Sequence, residues 1–204
     1  MISISAPTAL PATVRSTEAA LIDMAKSGSV FKDGQTLQMG WMWFKFKEVA
    51  GTLCLQVPES GKMPFIWNRD CSAGLNTVMM QKFVNDSFGI EQMECHACQS
   101  AILLKGLDRK DGMFMNRLDS LNANDSGWFI GAERGNADVN DPENLERKSL
   151  WEISCIFPET LLFWMLPSGW QVVFNDIPVV LKDFQVQQAI PGSLYATRYM
   201  GKLR

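Results

Sequence analysis

The chain has 204 residues, with 19 Lys and Arg against 22 Asp and Glu for a net charge of −3, and 47% of its residues are hydrophobic, among them seven Trp, twelve Phe and twelve Met. That length buries a sizeable core as one large domain or two small ones, and the composition excludes disordered and fibrous classes. Mild acidity, with a sequence pI near 5.2, argues against a general nucleic-acid binder, which needs a basic face, and favours a basic protein partner.

Residues 1 to 14 read as an irregular arm. Ser3, Ser5, Pro7 and Thr8 break up any apolar centre, so no secretory signal and no export are predicted. A helix is predicted from about Ser16 to Lys26, capped by Ser16 or Thr17, ended by Gly28, with Leu21, Ile22 and Ala25 facing inward. Leu37 to Lys47 reads as a strand, with Met42, Phe44 and Phe46 on one face and Lys45 and Lys47 on the other. Ala50-Gly51 then reverses the chain into a strand over Thr52 to Val57. After a loop and a short strand at Phe65 to Trp67, Leu75, Val78, Met79 and Phe83 predict a helix over Ser72 to Ser87, with Gln81, Lys82 and Asp86 on its outer side. Glu91 to Ala97 is the expected boundary between two domains, 1–95 and 96–204.

The second half opens with a strand at Ser100 to Leu104, a charged turn, and Met113 to Leu118 pairing back. Asn124, Asp125, Ser126 and Gly127 form a turn, and Trp128 to Ala132 a buried strand in which Gly131 predicts a bulge or a close approach of another backbone segment. A polar loop from Glu133 to Asn144 carries Glu133, Asp138, Asp141 and Glu143 against Arg134 alone; Asp141 caps a short helix begun by Pro142. Leu150 to Phe157 reads as an apolar strand and Pro158 to Leu166 as a helix. Prolines keep this segment well short of the roughly 18 apolar residues of a membrane span. Strands follow at Trp170 to Phe174 and Ile177 to Leu181. Short, turn-linked strands unevenly mixed with helices predict an α+β protein of two subdomains, each a mainly antiparallel sheet with packed helices.

Catalytic constellations are weak. Cys95 and Cys98 have the spacing of half a zinc site, but the chain has a single His and no second cysteine pair, so they read as partly buried thiols, and the five cysteines as reduced thiols of a cytoplasmic protein. A strand rather than a helix is expected to follow them, which disfavours a redox pair. Ser126 lacks a marked base partner and reads as a turn residue. The acidic loop does not have calcium-loop spacing. No metal and no cofactor are predicted. Trp128 is expected to anchor the core of the second half.

Asp125-Ser126-Gly127-Trp128, then Gly131-Ala132-Glu133, Asp141-Pro142-Glu143-Asn144 and an apolar strand ending in Pro158, together resemble the immunity-protein family of bacterial polymorphic toxin systems, which is marked by an Asp-Ser-Gly-Trp motif with Gly-x-Glu a few residues on. The resemblance covers roughly residues 98–181. It implies a non-enzymatic cytoplasmic inhibitor that binds a cognate secreted effector toxin, with type VI secretion as a delivery route. A nuclease toxin is favoured because carboxylates imitate phosphates. The alternatives are an adaptor or scaffold of a secretion system, or a small hydrolase using Ser126 or a metal at the acidic loop. For the toxin contact, the acidic residues Glu133, Asp138, Asp141 and Glu143 rank first, and Trp41, Trp43 and Trp67, as aromatic anchors in the first half, second.

Overall fold

The computed structural model describes residues 1–135 and 137–199. It is an α+β protein that forms two compact units, Met1–Met80 and the chain from Gln81 onward.

The first unit contains β1 (Ile2–Ser3), α1 (Pro11–Lys26), β2 (Thr36–Met39), β3 (Met42–Val49), β4 (Thr52–Pro58) and β5 (Trp67–Asn68), and ends inside α2 (Ser72–Ser87). Its sheet has the order β1-β4-β3-β2, with β5 also pairing β4. All pairs are antiparallel except β1 with β4. The Ala50-Gly51 reversal is tight, with φ of 49° and 77°; positive φ at both central residues matches the twist of the flanking strands. The predicted strand over Leu37 to Lys47 is instead a hairpin, because Gly40, at φ 55°, turns the chain between β2 and β3. Met42, Phe44 and Phe46 face the core as expected, with Leu55 and Val57 beside them. Helix α2 packs onto this face at Gly74, where a Cβ would meet Val57 Cγ1 at 3.0 Å.

Helix α1 starts five residues before the expected Ser16. Pro11 takes its first turn, where proline's fixed φ suits the helix and its missing N–H costs nothing. Its buried stripe is Thr13, Thr17 and Leu21, so Ile22 and Ala25 are exposed, contrary to the prediction.

The second unit continues with β6 (Ser100–Leu104), β7 (Met113–Arg117), β8 (Asp125–Ala132), β9 (Leu145–Ser149), α3 (Leu150–Ile156), β10 (Trp170–Phe174), β11 (Pro178–Lys182), β12 (Gln185–Val186) and α4 (Leu194–Tyr199). The sheet order is β12-β11-β10-β7-β8-β6-β9. The predicted pairing of Met113–Leu118 back onto Ser100–Leu104 does not occur: β8 lies between them, parallel to β6 and antiparallel to β7. The inner face carries Met113, Met115, Arg117, Trp128, Ile130, Ala101, Leu103 and Val172, all buried.

Leu150 to Phe157 is helical, not extended. Ser149 Oγ accepts from Glu152 N at 3.2 Å and the Glu152 carboxylate accepts from Ser149 N at 2.8 Å, a reciprocal cap that nucleates α3. Leu150, Trp151, Ile153 and Ser154 then fall on one buried face. Gln81, expected outside, is 1% exposed and donates to Leu161 O at 2.7 Å. Asn85 likewise donates to Met165 O, so the C-terminal half of α2 belongs to the second unit's polar framework. Among the described residues no helix is long and apolar enough to cross a membrane.

Candidate functional site

The Asp-Ser-Gly-Trp stretch is a structural joint in β8. Ser100 pairs with Asp125 but Ile102 with Phe129, so β8 carries two extra residues against β6 there. Each motif side chain secures that bulge. Asp125 Oδ1 accepts from Gly127 N at 3.1 Å and Oδ2 from Leu121 N at 3.0 Å, holding the preceding turn. Ser126 Oγ donates to Ser100 O at 2.8 Å and accepts from Trp128 N at 3.2 Å, bridging the gap in the ladder. Gly127 has φ +76°, and a Cβ on it would lie 2.1 Å from Leu118 O. Trp128, 1% exposed, donates its indole N–H to Trp164 O at 3.1 Å and meets the Trp164 ring edge-on at 5.7 Å.

Opposite Trp128 on β7 stands Arg117, a residue that sequence reasoning missed. It is 1% exposed. Its guanidinium donates to five carbonyl oxygens: Nε to Ser126, Nη1 to Met93, Trp164 and Leu166, and Nη2 to Glu94. Among the described residues it makes no ion pair with a carboxylate. Burial lowers its pKa from the ordinary value, and the carbonyl dipoles together with the Trp128 ring, 5.7 Å away, offset the desolvation of the charge. Arg117 therefore ties the bulge, the segment before β6 and the segment after α3 into one knot. Trp164 O also accepts from Cys95 Sγ at 3.1 Å. Burial pushes the Cys95 thiol up to about 12, against the opposing pull of Arg117, so it is protonated at neutral pH. Cys98 is exposed. No group of three or more His, Cys, Asp or Glu among the described residues is placed to hold a metal ion.

Gly131 forms no bulge. It sits under two rings instead: a Cβ there would lie 2.8 Å from Phe129 Cε1 and 3.0 Å from Phe114 Cε1, and those rings are 5.8 Å apart. Phe114 and Phe129 lie on the outer face of the sheet, half-buried, with Ile102 and Val173 as their cross-strand neighbours. A strand apolar on both faces was the available signal: Phe114 lies between Met113 and Met115, and Phe129 between Trp128 and Ile130.

The acidic loop stands at one end of this sheet. The register places the end of β6, the start of β7, the end of β8, the start of β9 and the end of β10 together. The loops that leave there, 105–112, 133–144 and 175–177, contain seven Asp and Glu against four Lys and Arg. Arg109 is already committed, forked onto Glu159 at 2.6 and 3.1 Å and lying 4.9 Å over Phe157. Glu133 lines a cavity of about 180 Å³ with Lys105, Asp111 and Arg134; a larger one of about 540 Å³ includes Arg109, Glu159 and Asp176. Two of the predicted acidic residues are partly structural. Asp138 Oδ1 accepts from Asn140 N and Nδ2, and Asp141 Oδ1 caps the 3-10 turn by accepting from Glu143 N at 2.9 Å. Glu133 and Glu143 are exposed. Trp41, in the first unit, is 0% exposed, so the core claims the ring that was expected to serve as an interface anchor. Trp43, on the other face of the hairpin, is half-buried.

A family model described as the Imm33-like domain matches residues 80–183, just over half of the chain and most of the second unit. The chain belongs to the Imm33-like family. This is an immunity-protein family, as the resemblance implied. The Imm33-like match contains the bulge, Arg117, the acidic end and the Phe114-Phe129 pair; residues 1–79 lie outside it. No curated protein and no solved structure matches the chain.

Proposed function

We propose that this protein is an immunity protein that binds and neutralises a cognate secreted effector toxin by direct contact, without chemistry of its own. The observation that carries the reading is the coincidence of the Imm33-like match with a unit whose motif side chains are spent on architecture while its exposed strand ends converge as an acidic surface. Ser126 is the residue a hydrolase would need, and its hydroxyl is buried and engaged on both sides.

The contact is made by the acidic end, through Glu133 and Glu143, with the neighbouring Phe114 and Phe129 as apolar anchors. Carboxylates so arranged steer a basic groove, as in a nuclease that binds phosphates, and aromatic rings at the centre of a contact supply most of its energy. Action takes place in the cytoplasm of the toxin-producing cell, and type VI secretion is a delivery route consistent with such a pair. Expressing the toxin gene adjacent to this one with and without the immunity gene tests the function. Rescue of growth and a near-stoichiometric complex are expected; growth arrest despite co-expression would reject it.

A further inference from the structure

We infer that the first unit, outside the Imm33-like match, docks an acidic segment of the same effector on the outer face of its sheet. The inference rests on the toxin-binding reading above.

Helix α2 covers the inner face, and the opposite face is assembled by register into two cross-strand rows. Trp43 pairs with Gln38 on one side, and on the other the row runs on to Trp67, whose partner on β4 is Pro58. Lys45 pairs with Gln56 in the next row, toward Arg69. Phe65 lies between the two tryptophans, at 6.1 Å from Trp43 and 6.0 Å from Trp67, and Lys45 Nζ stands 5.5 Å from the Trp67 ring. The three rings are half-buried, while Met63 and Ile66, close to Phe65 and Trp67 in the chain, are 55% and 52% exposed.

The charge on this face selects the occupant. Lys45 and Arg69 make no ion pair with a carboxylate among the described residues, and the nearby Asp33 is taken by Lys47 at 3.3 Å and by Glu48 N at 2.7 Å. Among the described residues the Arg69 guanidinium donates only to the weak acceptor Cys54 Sγ, at 3.5 Å, which leaves donors for a carboxylate. Tryptophan and arginine around an apolar centre are the usual composition of a strong contact. A second copy meeting this face with its own would set like charges against each other. Base stacking needs open parallel planes, and these rings are inclined at 58° and 62° to their neighbours.

Affinity is measured with the full-length protein and a catalytically inactivated effector from the adjacent gene, for wild type, Lys45→Glu/Arg69→Glu and Met63→Ser/Ile66→Ser. Each pair should weaken binding by about tenfold or more at unchanged melting temperature, while Arg15→Glu/Lys32→Glu, an equal charge change elsewhere on the same unit, should leave it within about twofold. Wild-type affinity in both test variants would overturn this inference alone. No binding by wild type would overturn the proposed function with it. A 15-nucleotide oligo-dT bound by this face, or a dimer in sedimentation that Lys45→Glu/Arg69→Glu dissociates, would equally overturn it.

Discussion

At the residue scale, the Asp-Ser-Gly-Trp motif is explained by folding. Gly127 combines a left-handed φ with a carbonyl where its Cβ would be, so Gly127→Ala should cost at least about 3 kcal/mol in denaturant unfolding. Trp128→Ala should cost about 3 to 5 kcal/mol, and toxin binding should fall only as folding falls. Arg117 makes a sharper case. Replacing it by Met leaves several buried carbonyls without a donor, and Lys, a point charge with three donors, cannot reach five acceptors on three segments. Both variants should unfold about 3 to 5 kcal/mol more easily. A near-wild-type melting curve for Arg117→Lys would contradict the knot. The motif's turn character and the buried indole were legible in the sequence. Arg117 was not, since an arginine in a strand reads as an outward residue unless its carbonyl partners, all distant in sequence or irregular, are known.

At the element scale, helices with a clear period and hairpins with a glycine turn were readable: α2 and the β3-β4 reversal fall where the pattern put them. Leu150 to Phe157 was misread because an apolar run carries no period when helix and strand both bury it. The signal that decides it is Ser149-x-x-Glu152. The hydrogen bonds from the Ser149 side chain, first, and backbone hold the Glu152 carboxyl below its ordinary 4.5. A depressed folded pKa stabilises the protein above the unfolded value, and that stabilisation is lost as pH falls through the folded one. Ser149→Ala should therefore cost about 1 kcal/mol at pH 7. Ser149 Oγ also donates to the Glu152 carboxylate at 2.6 Å, and because protonation of Glu152 in wild type weakens that bond while the bond from Glu152 N persists, the cost should shrink, but not vanish, in melts taken below the ordinary carboxylate range; a penalty independent of pH would remove the Glu152 carboxylate from the cap.

At the scale of the whole molecule, the sequence withheld strand order, and with it β9, which lies in a stretch where no strand was predicted. The insertion of β8 between β6 and β7 depends on long-range pairing, which local patterns do not encode, yet it gathers the acidic loops at one end of the sheet. The structure also changes which charges are informative. Asp138 and Asp141 brace the loop they belong to, so their reversal would mix folding with binding. Glu133→Lys/Glu143→Lys should instead keep the melting temperature while slowing association and flattening its salt dependence. The central claim is direct neutralisation by contact at this surface. It is tested most directly by titrating the adjacent-gene effector, inactivated, with wild-type protein and with Glu133→Lys/Glu143→Lys at two salt concentrations. A stoichiometric wild-type complex that weakens with salt, and a variant that binds more weakly at low salt with a flatter salt response, is the predicted result; equal binding by both proteins at both salts would contradict it.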